Sequence, residues 1–467
     1  MPLGQKDPKS GRLVLSPQRT LPTAEAFLRQ FYCHSDRWKL VNYAGTLMEW
    51  QENRYVVVED EAVRQRLQRW LHRALRYSPN RRTGDPELVD FDSNSATING
   101  ALEAIKSRVF IQGNTSPPAW LVPRRNDPLP QQLLPLRSSL LHLPTMARYR
   151  PTPRLLNVNA LAFDHDPCAP SPERWIAFLQ QLFGDDVQSN QLLQEWFGYC
   201  LTGNTSMQKM LLIVGPKRSG KGTIARVLRQ LIGPGNVAGP TVSSLAGAFG
   251  LQSLLDKSLA IVSDARLQGQ YAQIVAERLL CISGEDAITV DRKYLPSVTV
   301  TLPTRFVFLT NELPKFSDAS GALAGRFEVI RLTNSFFGME DKTLTDRLIA
   351  ELPGILNWAI EGWRRLNERG HFITPETSRE YIDALGDISS PVAAFVRECC
   401  VVSTGQRVTV DEIYNSWKRW CESEGRPHAG TKQSFGRDLA AALPKIETRR
   451  GTALQRFYEG IGLKKLR

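Results

Sequence analysis

The chain has 467 residues, enough for about two to four domains. It can bury hydrophobic cores because 42% of its residues are apolar, which excludes a disordered chain, and no apolar run approaches the ~18 residues of a membrane helix. The formal net charge of +12 is consistent with a polyanionic partner, although a basic surface that only confers solubility would produce the same excess.

Cysteine usage and the N-terminus indicate the cellular compartment. The seven cysteines and six histidines are scattered, and no C-x-x-C pair or other zinc spacing is present. We therefore expect reduced thiols and a cytoplasmic protein. Residues 1–20 begin with MPLGQKDPKSGR and have no apolar stretch behind it, so we expect a flexible tail rather than a signal peptide.

The region before the central motif is predicted to mix α and β structure. The segment EAVRQRLQRWLHRALRY (61–77) predicts an amphipathic helix with five inward residues: Val63, Leu67, Trp70, Leu71 and Leu75. Residues 112–172 are rich in proline and turn residues and predict loops with short strands. Two helices are predicted next, at PERWIAFLQQLFG (172–184) and NQLLQEWFGYCLTG (190–203).

The stretch LLIVGPKRSGKGTIARVLRQLIG (211–233) predicts a strand, a phosphate-binding loop and a helix. Backbone amides of such a loop and the start of the helix bind phosphate oxygens, while Lys221 reaches the β- and γ-phosphates of ATP. The usual magnesium hydroxyl is missing at Gly222 and arrives one residue late, at Thr223. The predicted ATP-binding residues are Gly215, Pro216, Lys217, Arg218, Ser219, Gly220, Lys221, Gly222 and Thr223.

Strands and helices alternate after this loop, which predicts a mostly parallel sheet. Asp264 ends the strand SLAIVSD, where a phosphate-loop enzyme holds hydrated Mg²⁺, although no second acid stands beside it. Asn311 ends TRFVFLTN and can orient water against the γ-phosphate. Arg326 precedes RFEVIRL and can act as an arginine finger toward a neighbouring subunit's nucleotide. The alternatives without a functional role are that Asp264 ends a core strand at a turn and that Arg326 forms a surface salt bridge.

The last block, residues 385–467, predicts three helices followed by two short strands. The second and third helices are VDEIYNSWKRWCESEG and TKQSFGRDLAAAL, and the strands lie around ETRRGTALQRFYEGIGL. Three small helices followed by a β-hairpin are typical of a winged-helix domain that binds DNA.

These motifs, in this order, resemble the superfamily 3 helicases, which are AAA+ ring ATPases of viruses and mobile elements. The phage and plasmid primase-helicases and the related poxvirus primase-helicase are the most similar families. The resemblance extends over the lead-in at AFDHDPCAPSPERWIAFLQQLFGDD, the segment ISGEDAITVDRKYLPSVTVTLPTRFVFLTNELP, the helix ELPGILNWAIEGWRRL and the winged block. It implies an α/β fold: an N-terminal α/β-mixed collar (21–205), an AAA+ phosphate-loop ATPase core (206–375) and a C-terminal winged helix (385–467).

The resemblance also implies roles for single residues. Lys221, Asp264, Asn311 and Arg326 become catalytic, and Thr223 with Asp264 would hold Mg²⁺. In this family a hairpin between the second and third motifs faces the ring pore, and VDRKY falls on it. Arg292 and Lys293 would grip the DNA backbone there, and Tyr294 would pack the turn or a base.

The implied function is an ATP-dependent DNA helicase of a phage, prophage or plasmid, active in the bacterial cytoplasm. Its expected cofactors are ATP and Mg²⁺, and its expected partners are single-stranded and forked DNA, further copies in a hexamer, and a separate primase. No membrane is involved. Two alternatives remain: an initiator that binds origin DNA and uses ATP only to assemble, and a nucleotide kinase. FDHDP carries a primase-like pair, Asp164 and Asp166, but too little chain precedes it to form a polymerase domain, so we interpret it as a turn.

Overall fold

The computed structural model describes residues 3–35, 37–112, 115–264, 271–314, 322–425, 429–450 and 455–464. Its contacts divide the chain into two compact units, Met1–His165 with Pro296–Val300, and Asp166–Leu295 with Thr301–Arg467. The first division falls after residue 165, ahead of the boundary at 205/206 expected from the sequence.

The first unit combines three helices with short antiparallel strands. The helices are α1 (Thr20–Tyr32), α2 (Asp60–Leu71) and α3 (Ser95–Arg108). The strands are β1 (Cys33–His34), β2 (Arg37–Trp38), β3 (Leu40–Tyr43), β4 (Thr46–Gln51), β5 (Arg54–Val57), β6 (Leu75–Pro79), β7 (Pro86–Asp90), β8 (Ala119–Trp120), β9 (Leu133–Pro135), β10 (Leu140–His142), β11 (Ala147–Tyr149) and β12 (Leu155–Leu156), and residues 130–132 form a 3₁₀ turn. The mixed α/β character predicted for this region is confirmed.

Helix α2 is shorter than predicted. Val63, Leu67, Trp70 and Leu71 are buried on its inner face as expected, but the helix ends at Leu71. Leu75 is buried too, as the first residue of strand β6, where it pairs with Asp90 of β7. Helical spacing persists through residue 75, but pairing with a distant strand decides the conformation there.

The expected flexible tail is wrong for the residues before α1. Val14 and Leu15 are buried, at 0% and 1% exposure, and Leu15 belongs to the core beneath the three helices. The Leu15 amide donates to the Leu75 carbonyl oxygen at 2.8 Å. The buried side chains of Val14 and Leu15, together with the hydrogen bond to Leu75, hold this segment against the first unit.

The second unit contains the remaining elements. Its helices are α4 (Glu173–Phe183), α5 (Val187–Tyr199), α6 (Lys221–Ile232), α7 (Val242–Ala246), α8 (Tyr271–Ser283), α9 (Leu344–Ile349), α10 (Leu352–Arg369), α11 (Glu376–Ser389), α12 (Pro391–Cys399), α13 (Val410–Ser423) and α14 (Lys432–Ala442). Its strands are β13 (Met210–Val214), β14 (Val237–Ala238), β15 (Leu259–Ser263), β16 (Ala287–Arg292), β17 (Leu295–Thr301), β18 (Arg305–Thr310), β19 (Phe327–Arg331), β20 (Cys400–Thr409), β21 (Glu447–Arg450) and β22 (Arg456–Leu463); β17 contributes its residues 296–300 to the first unit.

The centre of this unit is a five-stranded parallel sheet in the order β14-β15-β18-β13-β19. All residues of β13 and β18 are buried, because a parallel strand between helices is covered on both faces. The predicted alternation of strands and helices is confirmed. Among the strands of this sheet, the short strand β14 was not expected.

Two glycines bring α5 and α10 into close contact. A Cβ atom on Gly198 would collide with the backbone of Trp363 and Ala359, and one on Gly362 would collide with Gln194. The two helices therefore pack backbone against backbone. This contact explains why α5 belongs to the second unit, although its residues precede the boundary expected at 205/206.

The C-terminal body, residues 391–463, has its own hydrophobic core around Phe395, Trp417 and Phe435. Its helices α12, α13 and α14 and strands β21 and β22 follow the predicted order. Strand β20 was missed: it pairs with β22, so the sheet has the antiparallel order β20-β22-β21. Residues 401–407 of β20 are exposed, so no apolar alternation marks the strand in the sequence. Within the described residues, no helix combines the length and apolar character needed to cross a membrane.

Candidate nucleotide site

Three predicted site elements lie together at the carboxyl-terminal ends of the parallel strands. Val214 at the end of β13 pairs in register with Thr310 at the end of β18, and Asn311 follows directly. Asp264 follows the neighbouring strand β15, which pairs with β18. Carboxyl ends of parallel strands share one edge, where ligands of α/β proteins bind. The phosphate-loop residues, Asn311 and Asp264 therefore lie at the same edge.

The loop between β13 and α6 depends on two glycines. The Gly215 amide donates to the Thr310 carbonyl oxygen at 3.2 Å, and a Cβ there would lie 2.7 Å from the Leu332 carbonyl oxygen. Gly220 has a φ of +89°, and a Cβ would lie 2.9 Å from the side chain of Leu182. A larger residue at either position would displace the loop from the sheet edge.

The ammonium of Lys221 lies within this loop. It donates to Gly215 O at 2.7 Å, Pro216 O at 2.8 Å, Ser219 Oγ at 3.2 Å and Asn311 Oδ1 at 3.1 Å. Burial lowers the pKa of Lys221. A cation held at the first residue of a helix, beneath a loop of backbone amides, is an arrangement that binds phosphate groups.

The hydroxyl of Thr223 contacts an arginine one turn further along α6. Arg226 donates from Nη2 to Thr223 Oγ1 at 3.1 Å and from Nε to Thr345 Oγ1 at 3.2 Å. A Cβ on Gly222 would meet only the flexible end of Arg226, with Nη1 at 3.3 Å. Position 222 can therefore accept a small side chain. Arg226 was not predicted as a site residue, although its i,i+3 spacing from Thr223 is the available signal.

Asp264 directly follows strand β15 at the same ends of the strands. It is exposed, with a left-handed backbone conformation (φ 55°) directly after β15. The backbone therefore turns sharply as it leaves the sheet. Its role as a metal ligand stays a prediction.

Arg326 lies at the other end of the strands, directly before the first residue of β19. It ends the 3₁₀ turn that precedes β19, and β19 runs parallel to β13. Its Nη1 donates to the carbonyl oxygen of Gln208 at 3.4 Å and to the Gln208 side-chain oxygen. A strand of five residues spans roughly 16 Å, so Arg326 and Lys221 of one chain are separated by the length of β19.

The predicted DNA-contacting residues occupy different environments. Arg292 ends β16 and is only 7% exposed, and burial lowers its pKa. Lys293 and Tyr294 form the turn between β16 and β17, and Tyr294 is 91% exposed. The Lys293 amide donates to Gln252 Oε1 at 3.0 Å, and its ammonium lies 5.2 Å from the centroid of the Tyr294 ring. Lys293 and Tyr294 are accessible to a DNA strand, whereas Arg292 is covered.

Residues 335–340 bind the outer side of the phosphate loop, a contact that sequence reasoning missed. Ser335 Oγ donates to the Lys217 carbonyl oxygen at 2.8 Å, and the Phe336 amide donates to the Arg218 carbonyl oxygen at 3.0 Å. Arg218 Nε lies 3.2 Å from Glu340 Oε1. These bonds span more than a hundred residues of sequence, and no local motif marks them.

Two known families match parts of the chain. Residues 213–326 match a family of unknown function (DUF5906), and residues 389–458 match the Poxvirus D5 protein-like family. The first match contains the loop, Asp264, Asn311 and Arg326. The second coincides with the C-terminal body and supports the resemblance to primase-helicases drawn from the sequence.

Solved structures with a similar chain path include two of one protein. The A-form apo structure of the NrS-1 C-terminal region is 13% identical, covers 91% of this chain and 96% of that one, and gives a TM-score of 0.49. The apo structure of NrS-1 residues 305–718 is 14% identical, covers 95% and 99%, and gives 0.48.

Proposed function

We propose that this protein is an ATP-dependent DNA helicase of the superfamily 3 type, which unwinds DNA as a ring. The observation that carries the proposal is the bond between Lys221 Nζ and Asn311 Oδ1 at 3.1 Å. It joins a phosphate-loop lysine to an amide at the end of the adjacent strand. A phosphate-binding cation and a water-orienting amide, here within one hydrogen bond of each other, are two of the groups that nucleoside triphosphate hydrolysis uses.

Each residue has a defined task in this proposal. Lys221 and the loop amides bind the phosphates and hold them in line. Asn311 orients the attacking water. Thr223 and Asp264 are the residues that would hold Mg²⁺, which would neutralise charge on the phosphate oxygens. The hard oxygen donors of these two side chains fit that ion, and Gly222, next to Thr223, has space for a small side chain.

The position of Arg326 supports a multi-subunit assembly. An arginine finger must contact the phosphates, yet Arg326 lies at the sheet edge opposite its own Lys221. It can serve only the nucleotide of a neighbouring copy, as in a closed ring of identical head-to-tail interfaces. A homo-hexamer is the expected ring.

The exposed turn at Lys293 and Tyr294 is the proposed contact to the translocated strand. Lys293 provides a positive charge for the phosphate backbone, and the Tyr294 ring is exposed for packing against a base. The buried Arg292 has no direct part in this contact. The C-terminal body is the proposed winged helix, which would add a second DNA contact, and a separate primase would supply primers.

The experiment that tests this proposal combines three readouts on the full chain. ATPase rate with and without single-stranded DNA should show stimulation by DNA, and particle images should show rings. Strand displacement from a forked duplex should require ATP and Mg²⁺. An initiator that uses ATP only for assembly would shift the fork without displacing a strand. A nucleotide kinase would transfer phosphate to a nucleoside monophosphate and be indifferent to DNA.

A further inference from the structure

A basic groove lies in the first unit, distant in sequence from the motifs of the ATPase. It has a volume of about 680 Å³ and lies between the N-terminal segment and helix α2. Its charged lining residues are all cationic: Lys6, Arg12, Arg66, Arg69 and Arg73. Among the described residues that line it, no carboxylate is present. The groove is therefore a concentrated positive site, and neither the helicase motifs nor the proposed mechanism uses it.

The groove is built by the fold rather than by a loose charge run. Arg66, Arg69 and Arg73 recur at spacings of three and four, which places Arg66 and Arg69 on one face of α2 and Arg73 just beyond its end. The other wall is fixed to the helix end. Arg12 donates from Nε to the Arg73 carbonyl oxygen at 3.0 Å and from Nη2 to the Ala74 carbonyl oxygen at 2.9 Å.

Only part of this charge is neutralised within the protein. Arg12 pairs with Asp90 at 2.7 Å, and Arg66 lies 3.7 Å from Glu49. The side chains of Lys6, Arg69 and Arg73 form no ion pair or hydrogen bond with any described residue, and Arg69 and Arg73 are exposed. Residues 1–165 carry 23 Lys and Arg against 15 Asp and Glu, so this third of the chain supplies most of the net charge of +12.

The charge and the aromatic residues of the groove restrict the class of ligand that it can bind. Trp70 lines the groove but is only 7% exposed, and its Nε1 donates to Gln30 Oε1 at 2.8 Å. Phe31, the other aromatic residue of the lining, is half-buried and packs against the rings of Phe27 and Trp70, so cationic side chains dominate the exposed lining. The ligand is therefore recognised by its phosphates. A positively charged groove that follows the backbone is typical of proteins that bind a single strand without sequence preference.

We propose that this groove binds the phosphate backbone of single-stranded DNA without regard to sequence. The inference rests on the proposed function, because a DNA-unwinding ATPase produces such a strand, and it adds a contact outside the ATPase unit. Free cations that meet a polyanion release condensed counterions, so binding through the groove must be salt-dependent.

The test uses the full chain and the double variant Arg69→Gln/Arg73→Gln. Its matched control is Arg81→Gln/Arg82→Gln, which removes two exposed arginines from the β6–β7 turn of the same unit. Fluorescence anisotropy with labelled oligo-dT and oligo-dA is measured at several salt concentrations. We expect weaker binding of both oligonucleotides by the groove variant. The slope of log K against log salt should fall by about 1.4, or 0.7 for each lost contact, while the control matches the parent.

The outcomes separate this inference from the proposed function. Equal slopes and affinities for the groove variant and the control overturn the inference, whatever the ATPase shows. An equal loss of duplex and single-strand binding overturns the assignment to single strands, and so does full competition by polyglutamate. The parent's ATPase and unwinding judge the proposed function independently. Lys6→Gln provides a second, separate variant, and its binding should weaken in the same direction.

Discussion

The ammonium of Lys221 and the amide oxygen of Asn311 lie 3.1 Å apart, although 90 residues separate them in the sequence. The bond joins the loop after β13 to the end of β18, so the two residues proposed to bind phosphate and to orient water share one hydrogen bond. A change in either residue should therefore alter the other's position.

The late hydroxyl of Thr223 is expected to serve the metal. Thr223→Ala should lower magnesium-dependent ATP turnover about 10-fold or more while nucleotide binding changes little. Because position 222 has space, Gly222→Ser should restore part of the turnover in the Thr223→Ala protein. Steady-state ATPase over a magnesium titration measures both effects. Unchanged turnover in Thr223→Ala would mean that this hydroxyl has no part in the metal site.

Arg326 is expected to act across a subunit boundary. Arg326→Ala should leave ATP binding intact and reduce hydrolysis about 10³-fold or more, as for other arginine fingers. Mixing it with Lys221→Ala protein should restore activity, because a mixed ring contains interfaces with both residues. Gln208→Ala is the control: it removes the side-chain acceptor of Arg326 Nη1 but keeps the guanidinium. Equal losses in Arg326→Ala and Gln208→Ala, with no rescue on mixing, would assign Arg326 a structural role.

Lys293 is expected to transmit force to DNA. Lys293→Ala should keep basal ATPase and lose unwinding, since each subunit would lose one phosphate contact. The slope of log K against log salt for single-strand binding should fall by about 0.7. Lys342→Ala, which removes an exposed lysine elsewhere in the same unit, should match the parent. Identical slopes and unwinding in all three proteins would place Lys293 outside the DNA path.

The stability of the second unit is expected to depend on the close contact between α5 and α10. Gly198→Ala should lower the free energy of unfolding by about 1–3 kcal/mol, the cost of overpacking, because its Cβ collides with the backbone of α10. Gly386→Ala lies within α11 with open space around it and should be neutral or slightly stabilising. Thermal unfolding of both variants measures the difference. Equal melting temperatures would show that the helices can move apart at little cost.

The sheet and the strand, loop and helix at residues 210–232 could be predicted from the sequence because their signals are local. Buried parallel strands are continuous apolar runs, and the loop has fixed spacing between a strand and a helix. The bonds of residues 335–340 to the loop join groups more than a hundred residues apart, which only the folded chain brings together. The Arg226–Thr223 contact has a local i,i+3 signal that the sequence analysis did not use. Strand β20 was missed because its exposed residues 401–407 show no alternation.

The burial of Arg292 illustrates the same limit at a single residue. The letters DRKY show three polar or charged residues at a turn, and nothing in them distinguishes the covered arginine from the exposed lysine. Strand geometry decides this, since successive side chains point to opposite faces. Likewise, Leu13, Val14 and Leu15 are a short apolar run in a polar segment, and the burial of Val14 and Leu15 depends on pairing with residue 75 and on the helical core, both distant in sequence.

The most direct test of the account is ATP-driven strand displacement from a forked DNA duplex by the full chain, by Lys221→Ala and by Arg229→Ala. Arg229 is an exposed cation on the same helix, so its removal matches the charge change away from the loop. We expect the parent and Arg229→Ala to displace the strand, and Lys221→Ala to bind the fork but lose displacement and hydrolysis by at least about 100-fold. A parent protein that binds the fork and hydrolyses ATP without displacing a strand would contradict the account, as would normal displacement by Lys221→Ala.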